Sequence, residues 1–430
     1  MTSTSKADLP QNPKVLVVGG GAREHALAWK LAQSRHKPVL FAAPGNPGIR
    51  DVAECVDIQA NDISGLIGFA KSQAVHLVVV GPEAPLAQGL ADELLAAGIP
   101  VFGPSQNGAQ LETSKAFAKQ VMAEAGVPTA AYKVFERAED AKDYVRAQGA
   151  PIVIKADGLA AGKGVVVAQT EAEAEGAIDN IMTHHQFGEA GARVVVEAAL
   201  TGSEASLMYF VDKNTFVPML PAQDHKRLGE GDTGPNTGGM GAFAPIPGVD
   251  TTGLQQQVSE TIVQPVMNWL QEHEIPFRGV LYVGLMLTES GPQVIEFNVR
   301  FGDPEAEVVL PLLQSDVLDI LWAAAHDSLS DTVLEWHDES AVCVVMATPG
   351  YPKSAKTGQE IHFSKELPQH TVCFHAGTKL DGTTLMTAGG RVLTVCARGE
   401  NLDTARRIAY DAVDCISFEG MQMRSDIGEK

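Results

Sequence analysis

The chain has 430 residues, of which 45% are hydrophobic and 20% are charged, and it carries a formal net charge of −21. That length predicts about two to four globular domains with a large core. The acidic charge argues against nucleic acid or an anionic membrane as a partner, because either needs a basic surface. No apolar segment approaches the length of a membrane span, whereas small phosphorylated molecules remain open as ligands because their sites are local.

The first residues form a polar stretch, "MTSTSKADLPQNP", without the apolar core of a signal peptide. We predict a disordered tail over residues 1–13. The five cysteines are scattered along the chain, and no pair of them has metal-ligand spacing. They predict reduced thiols in a cytoplasmic protein.

Residues 14–114 alternate short apolar runs with helical patterns. The runs "KVLVVGG", "PVLFAAP", "VHLVVVG" and "PVFG" predict buried strands with helices between them. This alternation is typical of a parallel sheet covered by helices, so we predict an N-terminal α/β domain. The loops after the strands carry "GGGAR", "PGNPG" and "GPEAP". They are predicted to meet at the carboxyl edge of the sheet, where open α/β folds bind ligands.

The stretch "VVGGGAREH" suggests a dinucleotide-binding loop, but its spacing does not fit. The pattern G-x-G-x-x-G requires glycine at a position where Glu24 or His25 stands. The helix that follows still offers free N–H groups to a phosphate, and Arg23 lies in its first turn. The alternative is a structural tight turn.

A second glycine-rich stretch, "PIVIKADGLAAGKGVVVA", covers residues 151–168. It lacks the spacing of a phosphate loop, because Asp157 stands where the first glycine belongs and Gly164 follows Lys163. The valines that follow predict a strand rather than a helix. We therefore interpret the stretch as a hairpin flap over a phosphate, with Lys155 on the incoming strand. The alternative is an ordinary glycine-rich turn with a solvated lysine.

The stretch "VIEFNVRFGDPE" predicts a strand with two different faces, since side chains alternate along a strand. Its apolar members are predicted to face a core: Ile295, Phe297 and Val299. Glu296, Asn298 and Arg300 are then predicted to share the other face. A carboxylate and an amide two residues apart suit Mg²⁺, which prefers oxygen ligands. The alternative is an exposed polar face.

The rest of the chain supplies a loop and a small domain. Residues 224–248 are rich in Gly, Pro, Asn and Thr, which predicts a long functional loop. Residues 335–430 predict a small α+β domain in which we identify no catalytic constellation. The predicted fold class is therefore multidomain, α/β and α+β. The middle domain of the chain is predicted to cover residues 115–334, including a flap subdomain at about residues 125–200.

These stretches together resemble a known family. The chain is similar to the phosphoribosylamine–glycine ligases, or glycinamide ribonucleotide synthetases, which are ATP-grasp enzymes of purine synthesis. The matching stretches follow the family's order and cover nearly all of the chain after the tail. They are "GGGAREHALAWK", "APGNPG", "GPEAPL", "FGPS", "SKAFAK", "PIVIKADGLAAGKGVVVA", "QDHKR", "GDTGPNTGGMGAF", "VIEFNVRFGDPE" and "FHAGTK".

The resemblance implies an ATP-grasp core in which ATP lies between the flap and the "VIEFN" strand. It implies Mg²⁺ or Mn²⁺ on Glu296 and Asn298, and catalytic roles for Arg300, Lys155 and Asp224. The implied ATP contacts are Lys115, Lys155, Gly162, Lys163, Gly164, Glu197, Leu200 and Glu204. The implied contacts to the other substrates are Gly20, Gly21, Asn46, Glu83, Lys226, Asn236 and Asp303.

Two departures from the family pattern concern the nucleotide side. Ala198 and Ser203 stand at positions where the family usually has Glu. The strand "GVLYVGLML" lacks a carboxylate that many ATP-grasp relatives use as a further metal ligand. The number of metal ions is therefore open.

The resemblance also implies the reaction. Glycine would be joined to 5-phospho-β-D-ribosylamine, giving glycinamide ribonucleotide, ADP and phosphate through a glycyl phosphate intermediate. We expect a cytoplasmic monomer whose partners are these small molecules and ATP, without nucleic acid or membrane. One alternative is another ATP-grasp carboxylate–amine ligase of purine metabolism. The others are a nicotinamide-dependent oxidoreductase and a catalytically inactive nucleotide sensor.

Overall fold

The N-terminal part of the computed structural model, which describes residues 9–160 and 164–429, is the predicted parallel sheet. Its strand order is β3–β2–β1–β4–β5. The strands are β1 (Lys14–Gly19), β2 (Val39–Pro44), β3 (Glu54–Cys55), β4 (Leu77–Val80) and β5 (Val101–Phe102). The helices are α1 (Ala22–Leu31), α2 (Ile63–Ser72), α3 (Glu83–Ala87) and α4 (Leu90–Ala96), followed by α5 (Gln106–Thr113) and α6 (Lys115–Glu124). Because β1 pairs with strands on both sides and is covered on both faces, it appears in the sequence as a continuous apolar run.

The flap subdomain is an antiparallel sheet of order β6–β9–β7–β8, covered by two helices. Its elements are β6 (Tyr132–Phe135), α7 (Ala138–Gln148), β7 (Ile152–Ala156), β8 (Val165–Ala168), α8 (Glu171–Ile178) and β9 (Val194–Ala198). The register places Lys155 opposite Val165, which confirms the predicted hairpin. Gly162 and Lys163, two predicted ATP contacts at its tip, lie outside the described residues.

A second antiparallel sheet, of order β11–β10–β16–β17, faces the flap. The strands from here to residue 298 are β10 (Ser203–Val211), β11 (Phe216–Pro218), β12 (Gln223–Asp224), β13 (Arg227–Gly229), β14 (Thr233–Asn236), β15 (Gly241–Ala244), β16 (Gly279–Thr288) and β17 (Gly291–Asn298). The helices are α9 (Thr251–Val258), α10 (Gln264–Glu272), α11 (Ala306–Leu312) and α12 (Val317–Ala325), with a π-helical turn joining α9 to α10. The predicted long loop at 224–248 is partly wrong, because it contains the hairpin β13–β14 and the strand β15.

The C-terminal part contributes to a sheet of order β12–β15–β18–β23–β20. Its elements are β18 (Ser340–Ala347), β19 (His362–Phe363), β20 (Thr371–His375), β21 (Thr378–Asp381), β22 (Thr384–Thr387), β23 (Arg391–Gly399), α13 (Leu402–Val413) and β24 (Ile416–Ser417). This sheet includes β12 and β15 from before the predicted boundary at residue 335. Gly241–Ala244 pair residue by residue with Ala341–Val344.

The ends of the described chain add two observations. Residues 1–8 of the predicted tail lie outside the described residues, whereas Leu9 is half-buried against the apolar cluster that contains α1 and α12. No helix within residues 9–160 and 164–429 is both long and apolar enough to cross a bilayer.

Candidate active site

A β-bulge on β17 presents a backbone oxygen to the flap. Gly284 of β16 pairs with Glu296, but Leu285 pairs with Val294, so Ile295 is the extra residue. This corrects the predicted alternation, in which Ile295 faced the core together with Phe297. The carbonyl oxygen of Ile295 accepts a hydrogen bond from Lys155 Nζ at 2.9 Å. Bulges often re-aim groups beside active sites, and this one links the two sheets between which ATP was predicted.

Lys155 is also paired with a buried carboxylate. Its Nζ lies 2.9 Å from Glu197 Oε1, and Lys119 Nζ lies 2.9 Å from Glu197 Oε2. Lys119 is held further by Thr129 Oγ1 at 2.7 Å. The side chain of Glu197, a predicted ATP contact, therefore holds two lysines and fixes the direction of Lys155.

Lys115 lies at the start of α6, beside the flap. Ser114 separates α5 from α6, and its Oγ caps α6 by accepting from the N–H of Phe117 at 3.1 Å. The carboxylate of Asp157 accepts from Ser114 Oγ and from the N–H of Ala116, which ties the flap to this helix end. Burial lowers the pKa of Lys115, and Glu296 opposes that shift. The cation of Lys115 is thus fixed near the predicted phosphate position.

Glu296 and Asn298 lie two residues apart on β17 and offer a carboxylate and an amide oxygen. Gly284, opposite Glu296, has no side chain to cover it, and a Cβ there would lie 3.1 Å from Glu296 Cγ. Burial alone would raise the pKa of Glu296, but Lys226, Lys155 and other nearby cations keep it below its ordinary value. An ionised carboxylate beside an amide is a donor set that fits Mg²⁺ or Mn²⁺, which commonly use few protein ligands together with phosphate oxygens.

A group of charges surrounds Lys226 next to this pair. Lys226 Nζ lies 3.1 Å from Glu204 Oε2 and 4.0 Å from Glu296 Oε1. Burial raises the pKa of the Asp224 carboxyl to about 7, Lys226 opposes this shift, and Glu305 adds to it. The Asp224 carboxyl is thus more basic than an ordinary aspartate and lies beside the cation of Lys226.

Arg300 connects this sheet to the N-terminal domain. Its Nη2 lies 2.8 Å from Glu112 Oε1 and 3.3 Å from Asn298 Oδ1, and its Nε lies 3.3 Å from Glu83 Oε2. Its Nη1 donates to the carbonyl oxygen of Phe301 at 3.1 Å. The guanidinium thus positions Asn298 and Glu83 together, and it brings the carboxyl edge of the parallel sheet to the predicted metal pair.

The glycine loops at that edge are packed tightly. A Cβ on Gly20 would lie 2.5 Å from the carbonyl oxygen of Gly45. Asn46 Nδ2 donates to the carbonyl oxygens of Gly20 at 3.0 Å and His375 at 2.7 Å, so this predicted substrate contact also holds the loops together. The N–H of Gly21 donates to Glu24 at 2.6 Å, so a carboxylate already lies at the α1 terminus where a phosphate was predicted.

The remaining predicted residues lie around the same site. Gly164 is buried at the base of the flap, where a Cβ would lie 2.6 Å from that of Ala160. Leu200 is half-buried just after β9, and Asn236 ends β14 opposite Arg227. Asp303 Oδ1 lies 3.0 Å from Arg391 Nη2. The individual roles of these residues stay predictions.

Several groups at the site were not predicted. They are Glu112, Lys119, Arg193, Tyr282, Glu305, Tyr351 and Arg391. Glu305 accepts from Ser206 Oγ at 2.9 Å and from the Tyr282 hydroxyl at 2.8 Å, within the buried side of the Lys226 group. Asp157 binds Arg193 through Nε at 2.9 Å. Lys119, Glu305 and Asp157 stood inside stretches that the sequence had singled out, but their partners did not follow from those stretches; the partner of Asp157 is 36 residues away.

Family models match nearly the whole chain. The N domain of phosphoribosylglycinamide synthetase matches residues 13–112, its ATP-grasp (A) domain residues 113–306, and its C domain residues 341–430. The phosphoribosylamine–glycine ligase of Agrobacterium fabrum is 52% identical over 96% of this chain and 98% of its own length. The ligase of the same name from Halalkalibacterium halodurans is 48% identical over 97% of this chain and 96% of its own length.

Solved structures agree with this match. The crystal structure of phosphoribosylamine–glycine ligase from Thermotoga maritima superposes with a TM-score of 0.82 at 32% identity, covering 96% of this chain and 99% of that one. A biotin carboxylase from Campylobacter jejuni superposes with a TM-score of 0.73 at 14% identity, over 95% and 92%, and so shares the ATP-grasp fold alone. This chain belongs to the phosphoribosylglycinamide synthetase family.

Proposed function

We propose that this protein ligates glycine to 5-phospho-β-D-ribosylamine, giving glycinamide ribonucleotide, ADP and phosphate. The observation that carries the proposal is the Arg300 bridge, which joins Glu83 at the substrate edge to Asn298 of the metal pair. This bridge supports a site for a small carboxylate and amine next to a site for nucleotide phosphates. Relatives at about half identity over nearly full length carry this activity in their names.

The nucleotide side requires little covalent chemistry from the protein. Lys155 and Lys115 offset charge on the transferring phosphoryl group, and Glu197 holds Lys155 in place. Glu296 and Asn298 would hold Mg²⁺ or Mn²⁺, which supplies charge neutralisation at the phosphates when bound. The flap excludes water, which would otherwise hydrolyse an acyl phosphate.

The substrate side then follows from atom balance. A glycine carboxylate oxygen attacks the γ-phosphorus, and ADP leaves. The ribosylamine nitrogen attacks the carbonyl carbon of glycyl phosphate, and phosphate leaves with the oxygen it took from glycine. The nitrogen loses one proton, and the Asp224 carboxyl, with a pKa raised to about 7 by burial, is suited to accept it.

The remaining assignments belong to the same proposal. We assign residues 14–114, 115–334 and 335–430 to three domains that work as one enzyme, with the site residues in the roles given above. The net charge of −21 and the five free cysteines support a cytoplasmic enzyme of small molecules rather than one that binds nucleic acid or membrane. We propose that it acts as a monomer.

The reaction can be followed with glycine whose carboxylate carries heavy oxygen. One labelled oxygen is expected in the released phosphate per turnover, and ADP release is expected to require both glycine and the ribosylamine. ADP release is also measured with bicarbonate or another small carboxylate in place of glycine, because turnover with one of these would indicate a different ligase activity of this fold. Phosphate without label, or AMP in place of ADP, would overturn the proposal.

A further inference from the structure

The C-terminal domain reaches the substrate side through Arg391, the first residue of β23. Its Nη1 donates to the carbonyl oxygen of Gly238 at 2.5 Å and to that of Asp303 at 3.0 Å. Its Nη2 pairs with Asp303 Oδ1 at 3.0 Å. One guanidinium therefore holds two segments that are distant in sequence, and a planar fork can do this where a point charge cannot.

Tyr351, from the same domain, holds the other side of the glycine segment. The N–H of Gly238 donates to the Tyr351 hydroxyl at 2.9 Å. A Cβ on Gly238 would lie 3.1 Å from Arg391 Cζ and 3.2 Å from the Tyr351 hydroxyl oxygen, so both side chains pack tightly against this segment. A Cβ on Gly390 would lie 2.5 Å from the Tyr351 ring, which shows how closely that ring is itself packed.

The carboxylate of Asp303 lies where three domains meet. Arg391 holds its Oδ1, while a Cβ built on Gly21 would lie 3.7 Å from its Oδ2. Oδ2 therefore points toward the start of α1, at the carboxyl end of β1. Glu307, fully buried nearby, has neither carboxylate oxygen hydrogen-bonded within the described residues. Burial and the charge of Asp303 raise the pKa of Glu307, and the Arg391 cation opposes this shift.

We propose that Arg391 and Tyr351 are positioning residues that fix the Gly238–Gly239 segment and aim Asp303 Oδ2 at the ribosylamine. The inference rests on the proposed function for the identity of that substrate. It assigns the C-terminal domain a share in substrate affinity, whereas the sequence had assigned it none. The predicted nucleotide contacts lie on the flap, α6 and β10, and the predicted metal pair lies on β17, so we expect ATP affinity not to depend on Arg391.

The test compares Arg391→Met, Arg391→Lys and Tyr351→Phe by steady-state kinetics and by calorimetric titration with MgADP. Loss of hydrogen bonds to a charged group is expected to raise the KM for phosphoribosylamine on the order of tenfold to a hundredfold in Arg391→Met. Arg391→Lys keeps the positive charge but not the planar guanidinium, so its KM for phosphoribosylamine is expected to lie between the values of the wild type and of Arg391→Met. Tyr351→Phe loses one neutral hydrogen bond and is expected to raise the same KM about threefold to tenfold. The Kd for MgADP stays within about twofold of the wild-type value in every variant.

Arg398→Met is the matched control. Arg398 lies on the same strand but pairs with Glu339 at 3.2 Å, and its removal should leave every KM unchanged. Equal changes in the KM values of all three substrates, or a lower melting temperature with unchanged KM values, would overturn the proposal. If Arg391→Met does not fold, Arg391→Lys and Tyr351→Phe carry the test. A wild-type enzyme without glycine-dependent ADP release would instead overturn the proposed function.

Discussion

Lys155 and Glu197 lie on paired strands of the flap sheet, where Lys155 is opposite Val195 and Glu197 is opposite Val153, with Nζ and Oε1 2.9 Å apart. Both side chains are almost fully buried, and Lys119 pairs with the second oxygen of the same carboxylate. A lysine predicted only to reach phosphates is therefore also part of a buried ionic group.

Removal of the Lys155 charge is expected to affect both activity and stability. Lys155→Met should lower ATP turnover on the order of a hundredfold or more, because a fixed charge at the transferring phosphate is lost. It should also lower the free energy of unfolding by about 1–3 kcal/mol, because Glu197 loses one partner. ADP release and urea unfolding measure the two effects.

The effect on stability can be separated from the effect on turnover. Lys119→Met removes the other partner of Glu197 and leaves Lys155 in place, so stability should fall by a similar amount while turnover falls much less. Lys133→Met, at an exposed lysine on the same sheet, serves as the control. Normal turnover in a folded Lys155→Met protein would contradict the assigned role.

Glu296→Gln is expected to weaken divalent metal binding while keeping the fold. Glutamine keeps the shape and one oxygen but removes the charge that attracts the cation. Paramagnetic resonance of Mn²⁺ in the presence of ADP should show affinity lower on the order of tenfold or more. Glu289→Gln, at an exposed turn, should leave Mn²⁺ affinity unchanged. Equal affinities for the two variants would remove Glu296 from the metal site.

The pair His25 and His375 predicts an acid-sensitive contact between the N- and C-terminal domains. The N–H of His375 donates to His25 Nδ1 at 2.8 Å. Burial lowers the pKa of His25 to about 3 and that of His375 to about 4. The folded state therefore binds fewer protons than the unfolded state below the ordinary pKa of 6.5. Stability should be complete above that pH and should fall by about 1.4 kcal/mol per group and pH unit toward pH 4.

Thermal unfolding between pH 7 and pH 4 checks this contact. His25→Asn keeps a side-chain acceptor without a titrating ring, so its melting temperature should fall less on acidification than that of the wild type. His184→Asn, at an exposed histidine, should follow the wild-type curve. Identical pH dependence in all three proteins would show that the pair does not titrate as its burial requires.

Gly20→Ala is expected to be destabilising, although alanine is the smallest change available. The added Cβ would lie 2.5 Å from a backbone oxygen that cannot move aside easily, and the cost should be about 1–3 kcal/mol. Gly68→Ala, in the interior of α2 with nothing within 4 Å, should instead stabilise the protein by about 0.5–1 kcal/mol. Urea unfolding of the two variants compares them directly. Similar effects in both would show that the edge loops adapt.

Local patterns were sufficient to predict much of the fold and part of the site. Apolar runs predicted β1 and β4, and the valines after Gly164 predicted the flap hairpin. The alternation in "VIEFN" placed Glu296 and Asn298 together. It failed at Ile295, because a bulge depends on register against β16 and leaves no trace in β17 alone. The hydrogen bond that the carbonyl oxygen of Ile295 accepts from Lys155 joins residues that are 140 positions apart in the sequence.

Side-chain pairs between residues distant in the sequence could not be predicted for the same reason. Asn46 stands in a loop typical of ligand contacts, yet its amide is engaged by Gly20 and by His375, 329 residues away. Arg391 appears in the sequence as a charge at the start of a strand, and only the fold places it on Asp303. Such pairs carry no sequence periodicity, so reasoning from one sequence cannot supply them.

The pairing of β15 with β18 has a consequence for how this protein can be taken apart. Truncation before residue 335 would leave β15 as an open edge, with unpaired N–H and C=O groups along Gly241–Ala244. Such an edge recruits other chains, so the fragment is expected to aggregate even though it contains every predicted nucleotide contact. An experimenter who wants a minimal ATP-binding fragment must therefore keep β18 and β23, and the smallest unit that can be made separately is larger than the domain that binds the nucleotide.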